Sequence, residues 1–254
     1  MLDMEYIKLP YTNSTNTYAK DNAHYFNNEI TVVQAKIQIK GRGRLNRTFI
    51  SDNNKGAWFS IVIKPKKGTI SAKTSLLMPI MAAAATASAI ESEYCIKPGI
   101  KWPNDILLNN KKVCGILCES RISLSDISFL VIGIGVNVNQ KEMHPEISDI
   151  ATSLFIETGT EIVIDMLVQN ICGNVASLYD KIKYGETACI IDKWNEYSLM
   201  NNAVITYVKE QSSYNAISKG IDMDGRLIIE QNGKILYLDS SEVSLKIQGA
   251  NNDR

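Results

Sequence analysis

The stretch from residue 106 to residue 138 constrains the fold most, because it holds three strand-like segments joined by short polar turns. The segments cover residues 106–109, 112–119 and 127–138. Asn109 and Asn110 separate the first two, and the polar residues 123–126 separate the last two. Connections this short join antiparallel strands, since a parallel pair requires a crossover of about a dozen residues or more. The stretch therefore predicts an antiparallel meander within a sheet.

Elements on either side of the meander complete the first part of the chain. Strands are predicted at residues 6–10, 29–36 and 57–64. Helices are predicted after the capping residues 12–16, over residues 72–93, from Asp165 to Gly185 and over residues 188–194. Pro79 either kinks the helix at 72–93 or marks its first turn. The pattern predicts an α+β fold, with a mixed or antiparallel central sheet and helices on one side.

The pattern changes beyond Met200 to short strands separated by turn residues. Five strands are predicted, at residues 204–208, 214–221, 226–230, 234–238 and 242–247. So many short strands in so few residues indicate a small β-barrel of SH3 type. The chain is therefore divided into a larger domain, residues 1–200, and a C-terminal SH3-like domain, residues 201–254.

Composition excludes several classes of protein. The chain has 254 residues, 45% of them hydrophobic, so it can bury a substantial core. Its 27 Lys and Arg residues balance 27 Asp and Glu residues, whereas proteins that coat nucleic acid usually carry a broad positive excess. The absence of a recognisable leader or membrane-spanning segment predicts a cytoplasmic protein without membrane contact. The cysteines favour reduced thiols, and Cys114 and Cys118 lack the further ligands that zinc needs, so no metal site is predicted.

Residues 38–49 concentrate positive charge in a chain whose formal net charge is +0. The cations are Lys40, Arg42, Arg44 and Arg47, with Gly41 and Gly43 between them. Glycine permits close approach of the backbone to a ligand, and guanidinium groups bind carboxylate or phosphate oxygens in pairs. The pattern is typical of a flexible anion-binding loop. Taken alone, however, a solvated basic loop or a nucleic-acid patch explains it better.

Two further clusters lie at the ends of predicted strands. In residues 101–105, a Trp-Pro bend follows Lys101 and can aim the lysine at a fixed point, although a structural turn with a surface lysine is the alternative. Apolar strands are interrupted by Gly115 and by Gly133 and Gly135, which suggests a narrow slot for a planar ligand. Each glycine alone is better explained as a bulge or a packing feature.

Taken together and in this order, these motifs resemble those of the biotin protein ligases. The correspondence runs from Tyr6 to Ile247 and rests on Ser14-Thr15-Asn16, Gln38 with Gly41-Arg42-Gly43-Arg44 and Arg47, Lys101-Trp102-Pro103-Asn104-Asp105, Lys112 with Gly115-Ile116-Leu117 and Glu119, and Gly133-Ile134-Gly135-Val136-Asn137. Several motifs in one order are far more specific than any single one, so the alternatives above are rejected. The resemblance implies a class II synthetase-like catalytic domain over residues 1–200, followed by the SH3-like domain.

The resemblance also implies roles for individual residues. Catalytic roles are implied for Lys101, Arg44 and Arg42. Biotin binding is implied for Ser14, Thr15, Asn16, Gln38, Gly41, Arg42, Lys101, Gly115, Ile116, Leu117, Gly133 and Gly135. ATP or adenylate binding is implied for Arg44, Arg47, Phe49, Lys101, Asn104 and Asn137. Phe49 stands where the family usually has a tryptophan beside adenine, and Leu45-Asn46 stand where it usually has a small residue or glycine.

The implied activity is a two-step, ATP-dependent ligation. Biotin and MgATP give biotinyl-5′-AMP and pyrophosphate, and the biotin then passes to a lysine of a biotin carboxyl carrier protein or of the carrier domain of a biotin-dependent carboxylase. Mg²⁺ arrives with ATP, so no metal site on the protein is expected. Because the motifs begin close to Met1, the form without a DNA-binding domain is expected, with no DNA partner.

The assembly and two other functions remain open at this point. A monomer or a homodimer is expected, and residues 127–138 could pair across a two-fold axis. One alternative is a lipoate ligase-like adenylating enzyme, which the Gly-Arg-Gly-Arg loop and residues 101–105 disfavour. The other is a non-enzymatic biotin- or nucleic-acid-binding regulatory module, which the neutral overall charge disfavours.

Overall fold

A seven-stranded sheet organises the larger part of the computed structural model, which describes residues 4–123, 126–209, 212–239 and 244–247. Its strands are β1 Met4–Leu9, β2 Ile30–Ala35, β3 Gly56–Ile63, β4 Gly99–Lys101, β5 Asp105–Leu108, β6 Lys111–Ser123 and β7 Asp126–Asn137. They lie in the order β1-β2-β3-β7-β6-β5-β4. β1 and β2 are parallel, and every other neighbouring pair is antiparallel. The predicted mixed sheet, with a meander over β5, β6 and β7, is therefore confirmed.

β7 lies inside this sheet and not at its edge. Residues 130–137 pair with β3 on one side and with β6 on the other. Their backbone groups are already hydrogen-bonded, so the expectation that residues 127–138 pair across a dimer axis is wrong along this length. The edges are β1 and β4. β4 was not predicted from the sequence, because three residues are too few to show alternation.

Six α-helices occur in the part of the chain that the structure describes. They are α1 Thr15–Asn22, α2 Ala72–Ser75, α3 Met78–Tyr94, α4 Leu154–Thr158, α5 Ile164–Lys183 and α6 Ala188–Asn195. Pro79 lies in the first turn of α3, where its missing N–H removes no helical hydrogen bond. The predicted helix at 72–93 is therefore two helices, and the proline starts the second one.

The helices cover the two faces of the sheet unequally. α3, α5 and α6 pack together on the face that carries Ile61 and Ile132. α1 covers part of the opposite face, where Ala19 belongs to a cluster with Val33 and Val131. The side chains of the neighbouring residues 131 and 132 lie on opposite faces of the sheet because side chains alternate along a strand. The predicted helical layer on one side is confirmed, and α1 is a smaller addition on the other.

One helical stretch, Lys73–Tyr94, is long and apolar enough to cross a membrane by length and composition alone. Length and composition do not by themselves make it a membrane span, because a buried core helix has the same properties. In the fold, 67% of its apolar window is buried within the protein. Its run of alanines lets α3 pack closely against the sheet and α5, which gives the stretch the character of a core helix.

A second, five-stranded antiparallel sheet follows. Its strands are β8 Val204–Lys209, β9 Ser212–Ile221, β10 Leu227–Gln231, β11 Lys234–Leu238 and β12 Ser244–Ile247. They lie in the order β11-β10-β9-β8-β12. The five predicted strands correspond to these, except that residues 242–243, at the start of the last predicted strand, lie outside the described residues.

The second sheet is attached to the first through the turn that contains Gly225. The Gly225 carbonyl oxygen accepts a hydrogen bond of 2.9 Å from Trp102 Nε1. Nearby, Lys73 Nζ lies 3.1 Å from Asp224 Oδ1. Because Trp102 directly follows Lys101, this contact also fixes the backbone that carries that lysine.

Candidate active site

A cavity of about 690 Å³ opens on the face of the sheet opposite α3, α5 and α6. Its floor follows a row of cross-strand partners, Lys101 on β4, Asp105 on β5, Gly115 on β6 and Gly135 on β7. Directly opposed residues in neighbouring strands point to the same face of a sheet. Residues that are far apart in the chain therefore meet in one place.

The cavity brings together all but one of the predicted site residues. Its lining includes Ser14, Thr15, Asn16, Gln38, Arg42, Arg44, Arg47, Phe49, Lys101, Asn104, Gly115, Ile116, Leu117, Gly133, Gly135 and Asn137. Gly41 is the exception. A Cβ there would lie 2.2 Å from Phe49 O and 2.3 Å from Ser51 Oγ. Gly41 therefore allows the chain to pack against itself and does not line the cavity.

One end of the cavity is a network of neutral hydrogen bonds, called here the polar slot. Thr15, Asn16 and Gln38 line the cavity, and Ser51 and Ser60 support them from behind. Thr15 N–H and Oγ1 both donate to Gln38 Oε1, at 2.7 and 3.1 Å. Gln38 Nε2 donates to Ser51 Oγ at 3.2 Å. Ser60 Oγ lies 2.7 Å from Thr15 Oγ1 and 2.6 Å from Asn16 Oδ1. All five are buried, so each holds its neighbour in a fixed orientation.

Gly133 makes room for one member of this network. A Cβ at Gly133 would lie 2.1 Å from Asn16 Oδ1. The other end of the same amide, Asn16 Nδ2, donates to Leu117 O at 3.1 Å and to Glu119 Oε2 at 3.0 Å. A glycine predicted as the wall of a ligand slot thus serves to seat the asparagine.

The other end of the cavity, called here the cationic end, is formed by Lys101, Lys112, Arg44, Arg47 and Asp105. Lys101 is only 4% exposed. Lys112 Nζ lies 2.6 Å from Asp105 Oδ1. Including Arg42, five cationic side chains line the cavity, against the carboxylates of Asp105 and Glu146. This excess of positive charge suits a ligand that carries carboxylate or phosphate groups.

Arg44 shows how burial and a neighbouring cation act on this charge. Burial has the largest effect and lowers the pKa of Arg44, and the positive charge of Arg47 lowers it further. The Asp105 carboxylate acts in the opposite direction, but the pKa of Arg44 stays below its ordinary value. Arg44 Nη1 donates to Asn104 Oδ1 at 3.3 Å. Binding of an anionic ligand would therefore stabilise the charged form of Arg44.

Residues 41–49 form a compact loop along the cavity. Phe49 N–H donates to Gly41 O at 3.0 Å, and Gly43 N–H donates to Arg47 O at 2.8 Å. Leu45 has a φ of 52°, a left-handed conformation that glycine adopts more readily than leucine. This is the position at which the family resemblance implies a small residue. The leucine therefore stores backbone strain in the loop.

Phe49 covers the two glycines of the floor. Its ring carbons lie 3.0 and 2.7 Å from the positions that Cβ atoms on Gly115 and Gly135 would take. Trp58 meets the ring edge-on, with 5.8 Å between centroids, and Lys112 Nζ lies 5.8 Å from its centroid. The glycines thus provide a flat surface on which an aromatic ring rests.

Several contributors to the cavity were missed by the sequence-based prediction. Lys112 reaches the cationic end, and its position three residues before Gly115 on the same strand was the available signal. The segment at residues 146–151, through Glu146, Ile147, Ile150 and Ala151, and Leu245 of the second sheet also belong to the lining. Nothing in the pattern of those two segments indicates a ligand. Asn137 holds the first of them, since its Nδ2 donates to Thr152 O at 3.0 Å.

Metal ligands are not gathered here. Within the described ranges, no group of three or more His, Cys, Asp or Glu side chains is arranged to hold a metal ion. Burial raises the pKa of the Cys114 and Cys118 thiols far above the usual value. Both therefore stay protonated, whereas zinc binds the thiolate.

Family comparisons cover both sheets. The model of the biotin/lipoate A/B protein ligase family matches residues 9–137. The model of the biotin protein ligase C terminal domain matches residues 205–246. The first match contains the cavity-lining residues from Ser14 to Asn137, and the second contains most of the second sheet.

Individual relatives extend over most of the chain. The bifunctional ligase/repressor BirA of Bacillus subtilis is 33% identical over 235 residues, which are 91% of this chain and 71% of that protein. The biotin--[acetyl-CoA-carboxylase] ligase of Paracoccus denitrificans is 35% identical over 130 residues, 51% of this chain and 53% of that protein. Among solved structures, the biotin protein ligase from Aquifex aeolicus in complex with biotin and ATP has a TM-score of 0.82 at 28% identity, covering 96% of this chain and 99% of that one.

Proposed function

The chain belongs to the biotin/lipoate A/B protein ligase family, and on that premise we propose that it is a biotin protein ligase, which uses ATP to attach biotin to a lysine of a carboxylase carrier protein. The resemblance inferred from the motifs is thereby confirmed at the level of the family. The names of its relatives and of its structural neighbour support the same activity.

One observation carries the proposal: a neutral hydrogen-bonding slot and a cationic end share one cavity. Biotin has a neutral, planar ureido ring at one end and a carboxylate at the other, and ATP adds phosphates. The polar slot offers donors and acceptors to an uncharged ring through Thr15, Asn16 and Gln38. The cationic end offers its charge to the carboxylate and the phosphates. The two ends therefore match the two halves of the reacting molecules.

In the first half-reaction, a biotin carboxylate oxygen attacks the α-phosphorus of MgATP. An oxygen–phosphorus bond forms, the bond to the bridging oxygen breaks, and pyrophosphate leaves. The two reactants are both anionic and repel each other, so we assign Lys101, Arg42 and Arg44 to neutralise them as they meet. We assign Arg47, Phe49 and Asn137 to the nucleotide. No protein nucleophile is required.

In the second half-reaction, the neutral amine of a carrier lysine attacks the carbonyl carbon of biotinyl-5′-AMP. The carbon–oxygen bond to the phosphate breaks, AMP leaves with its electron pair, and the amine gives up a proton. The acceptor is a carboxylase carrier protein, as the name of the Paracoccus relative indicates for that enzyme. We propose no role for DNA, because the cations of the cavity form a local cluster in a chain whose net charge is +0.

We also propose that residues 1–200 act as the catalytic domain and residues 201–254 as an SH3-like domain, in a monomer or homodimer. α6 ends at Asn195 and β8 begins at Val204, which supports a boundary between them. Leu245, on the second sheet, lines the cavity. The C-terminal domain therefore contributes to the same site.

Lipoate is the second candidate substrate, because the family includes lipoate ligases. Its dithiolane ring has no hydrogen-bond donor, so it cannot make the hydrogen bonds that the ureido ring of biotin can make with the groups of the polar slot. The polar slot thus favours biotin.

The test is adenylate formation by the purified protein. Incubation with biotin and α-labelled ATP is expected to give labelled biotinyl-5′-AMP together with pyrophosphate. Replacing biotin by lipoate is the matched control, and it should give little product. Labelled product with lipoate but not with biotin would replace the proposal by the lipoate alternative, and no adenylate with either would overturn it.

A further inference from the structure

Glu119, on β6, connects three parts of the molecule at the edge of the cavity. Arg42 Nη1 and Nη2 donate to its two carboxylate oxygens at 3.3 and 3.2 Å. Lys20, on α1, donates to Glu119 Oε1 at 2.6 Å, and Asn16 Nδ2 donates to Glu119 Oε2 at 3.0 Å. Arg42 lines the cavity, but Glu119 does not. The carboxylate thus acts on the cavity through the residues it holds.

The environment of Glu119 keeps it ionised. Burial, the largest single effect, raises the pKa of Glu119. Hydrogen bonds from Lys20 and Asn16, together with the positive charges of Lys20 and Arg42, lower it by more, so the pKa lies below its ordinary value. The side chain is therefore a carboxylate at neutral pH and an acceptor for two cations.

The contact between Arg42 and Glu119 ties the loop at residues 41–49 to the sheet. Two nitrogens of the Arg42 guanidinium donate to the Glu119 carboxylate, so the contact is a paired hydrogen bond between two ionised groups. Arg44 Nη1 also donates to the amide oxygen of Asn104 on the sheet, at 3.3 Å. Paired hydrogen bonds between an arginine and a carboxylate are among the strong ones. The loop itself contains a strained residue, Leu45, at φ 52°, and a tie to the sheet opposes release of that strain.

We propose that Glu119 is a positioning residue that holds the loop at residues 41–49 closed through Arg42, and so controls how long the adenylate is retained. The part that concerns the adenylate rests on the proposed function. Glu119 contacts neither the ligand nor the reacting atoms in this role. Its effect passes through Arg42, which it orients along the cavity.

The first test uses the free protein and does not depend on any ligand. Thermolysin cleaves before large apolar residues, and Leu45 is 57% exposed at the tip of the loop. Glu119→Gln keeps the size of the side chain and an acceptor for Asn16, but removes the charge. Cleavage before Leu45, followed by mass spectrometry, is expected to become about fivefold faster, as suits a partly exposed ion pair.

Glu29→Gln is the matched control. The Glu29 side chain is 22% exposed, against 21% for Glu119, and it also holds a lysine, with Lys183 Nζ at 3.4 Å. It is far from the loop, so cleavage before Leu45 should stay at the wild-type rate. Equal rates in wild type and Glu119→Gln would overturn the proposal. Equal acceleration in the two glutamate variants would also overturn it, because the effect would then be a general loosening.

A double variant tests whether Arg42 transmits the effect. Arg42→Ala should accelerate cleavage about as much as Glu119→Gln, and the two changes together should add little to either one. Additive effects would contradict transmission through this pair. If Glu119→Gln does not fold, Arg42→Ala carries the same measurement, since it alters an exposed side chain.

The second test measures retention of the adenylate. Biotinyl-5′-AMP formed on the protein should be lost about fivefold faster from Glu119→Gln. Arg42→Ala should lose it about as fast, and the double variant should be no faster than either one. Retention in Glu119→Gln equal to that of the wild type or of Glu29→Gln would overturn the proposal. If the wild type forms no adenylate, the proposed function fails, while the thermolysin comparison still decides whether Glu119 holds the loop.

Discussion

The polar slot and the cationic end differ in charge. In the polar slot, neutral groups pair with one another, as Gln38 does with Thr15 and Ser51. In the cationic end, the cations Lys101, Lys112, Arg44 and Arg47 outnumber the carboxylates that line the cavity with them. The slot is therefore preorganised to select a shape, whereas the net positive charge of the cationic end attracts anionic ligands. Changes to the slot should affect biotin binding, and changes to the cationic end should affect the chemical step.

The largest effect is expected from Lys101→Met. Methionine keeps most of the buried volume but removes the charge that neutralises the carboxylate and the α-phosphate. Loss of one group that stabilises transition-state charge costs about 100- to 1,000-fold in rate, so adenylate formation should fall by at least that much. Pyrophosphate release in a single turnover measures it.

Lys97→Met provides the control, because Lys97 is an exposed lysine just before β4. It should form adenylate at the wild-type rate. Biotin binding by Lys101→Met in the absence of nucleotide should weaken far less than catalysis does. Normal adenylate yield from Lys101→Met would contradict the role of the cationic end.

Gly133→Ala should have the next largest effect, this time on the slot. The new Cβ would lie 2.1 Å from Asn16 Oδ1, so Asn16 must move away from Ser60 and Leu117. Leaving buried polar groups unpaired costs about 1–3 kcal/mol, which corresponds to roughly 5- to 150-fold weaker biotin binding by calorimetry.

Gly115→Ala is the matched control on the neighbouring strand. Its Cβ would meet the flexible ends of Lys112 and Phe49 at 3.0 Å, and these side chains can shift. Biotin affinity should therefore change less than for Gly133→Ala. The reverse order would show that the glycines act as slot walls and not through Asn16.

Thr15→Val tests a single hydrogen-bonding group in the slot. Valine has nearly the same shape but removes the hydroxyl that donates to Gln38 and lies 2.7 Å from Ser60 Oγ. One hydrogen bond contributes about 1 kcal/mol, so biotin affinity should fall by about five- to tenfold. Calorimetric titration measures it, and nucleotide binding titrated alone should stay unchanged. A larger loss for the nucleotide than for biotin would contradict the division between the two ends.

The sequence was sufficient to predict those elements whose structure depends on the local pattern of residues. Short turns and β-branched runs predicted the meander of β5, β6 and β7, and helical spacing predicted α3 and α5. The cavity depends instead on register across several strands. A shift of one residue would turn Asp105 or Gly115 to the opposite face, and β6 also carries an irregularity against Ile106 and Leu107.

The pairing of charges was the least predictable part of the site. The basic loop was recognisable from its composition, but its partners lie 77 and 60 residues away, at Glu119 and Asn104. Lys112 was missed as a site residue because its ion pair with Asp105 depends on the same register of β5 and β6. Which predicted residues contact biotin and which contact the nucleotide stays a prediction.

The smallest effect is expected from Phe49→Trp, which adds aromatic area beside the cationic end. The Phe49 ring already rests on Gly115 and Gly135, so the extra ring gains contact only when an adenine is present. Aromatic stacking contributes about 0.5–1.5 kcal/mol beyond area burial, and only part of that is new, so KM for ATP should fall by about threefold. Biotin affinity without nucleotide should not change, because Phe49 makes no hydrogen bond to the polar slot through its side chain. A shift in biotin affinity as large as the shift in KM for ATP would show that the two ends are coupled through this ring.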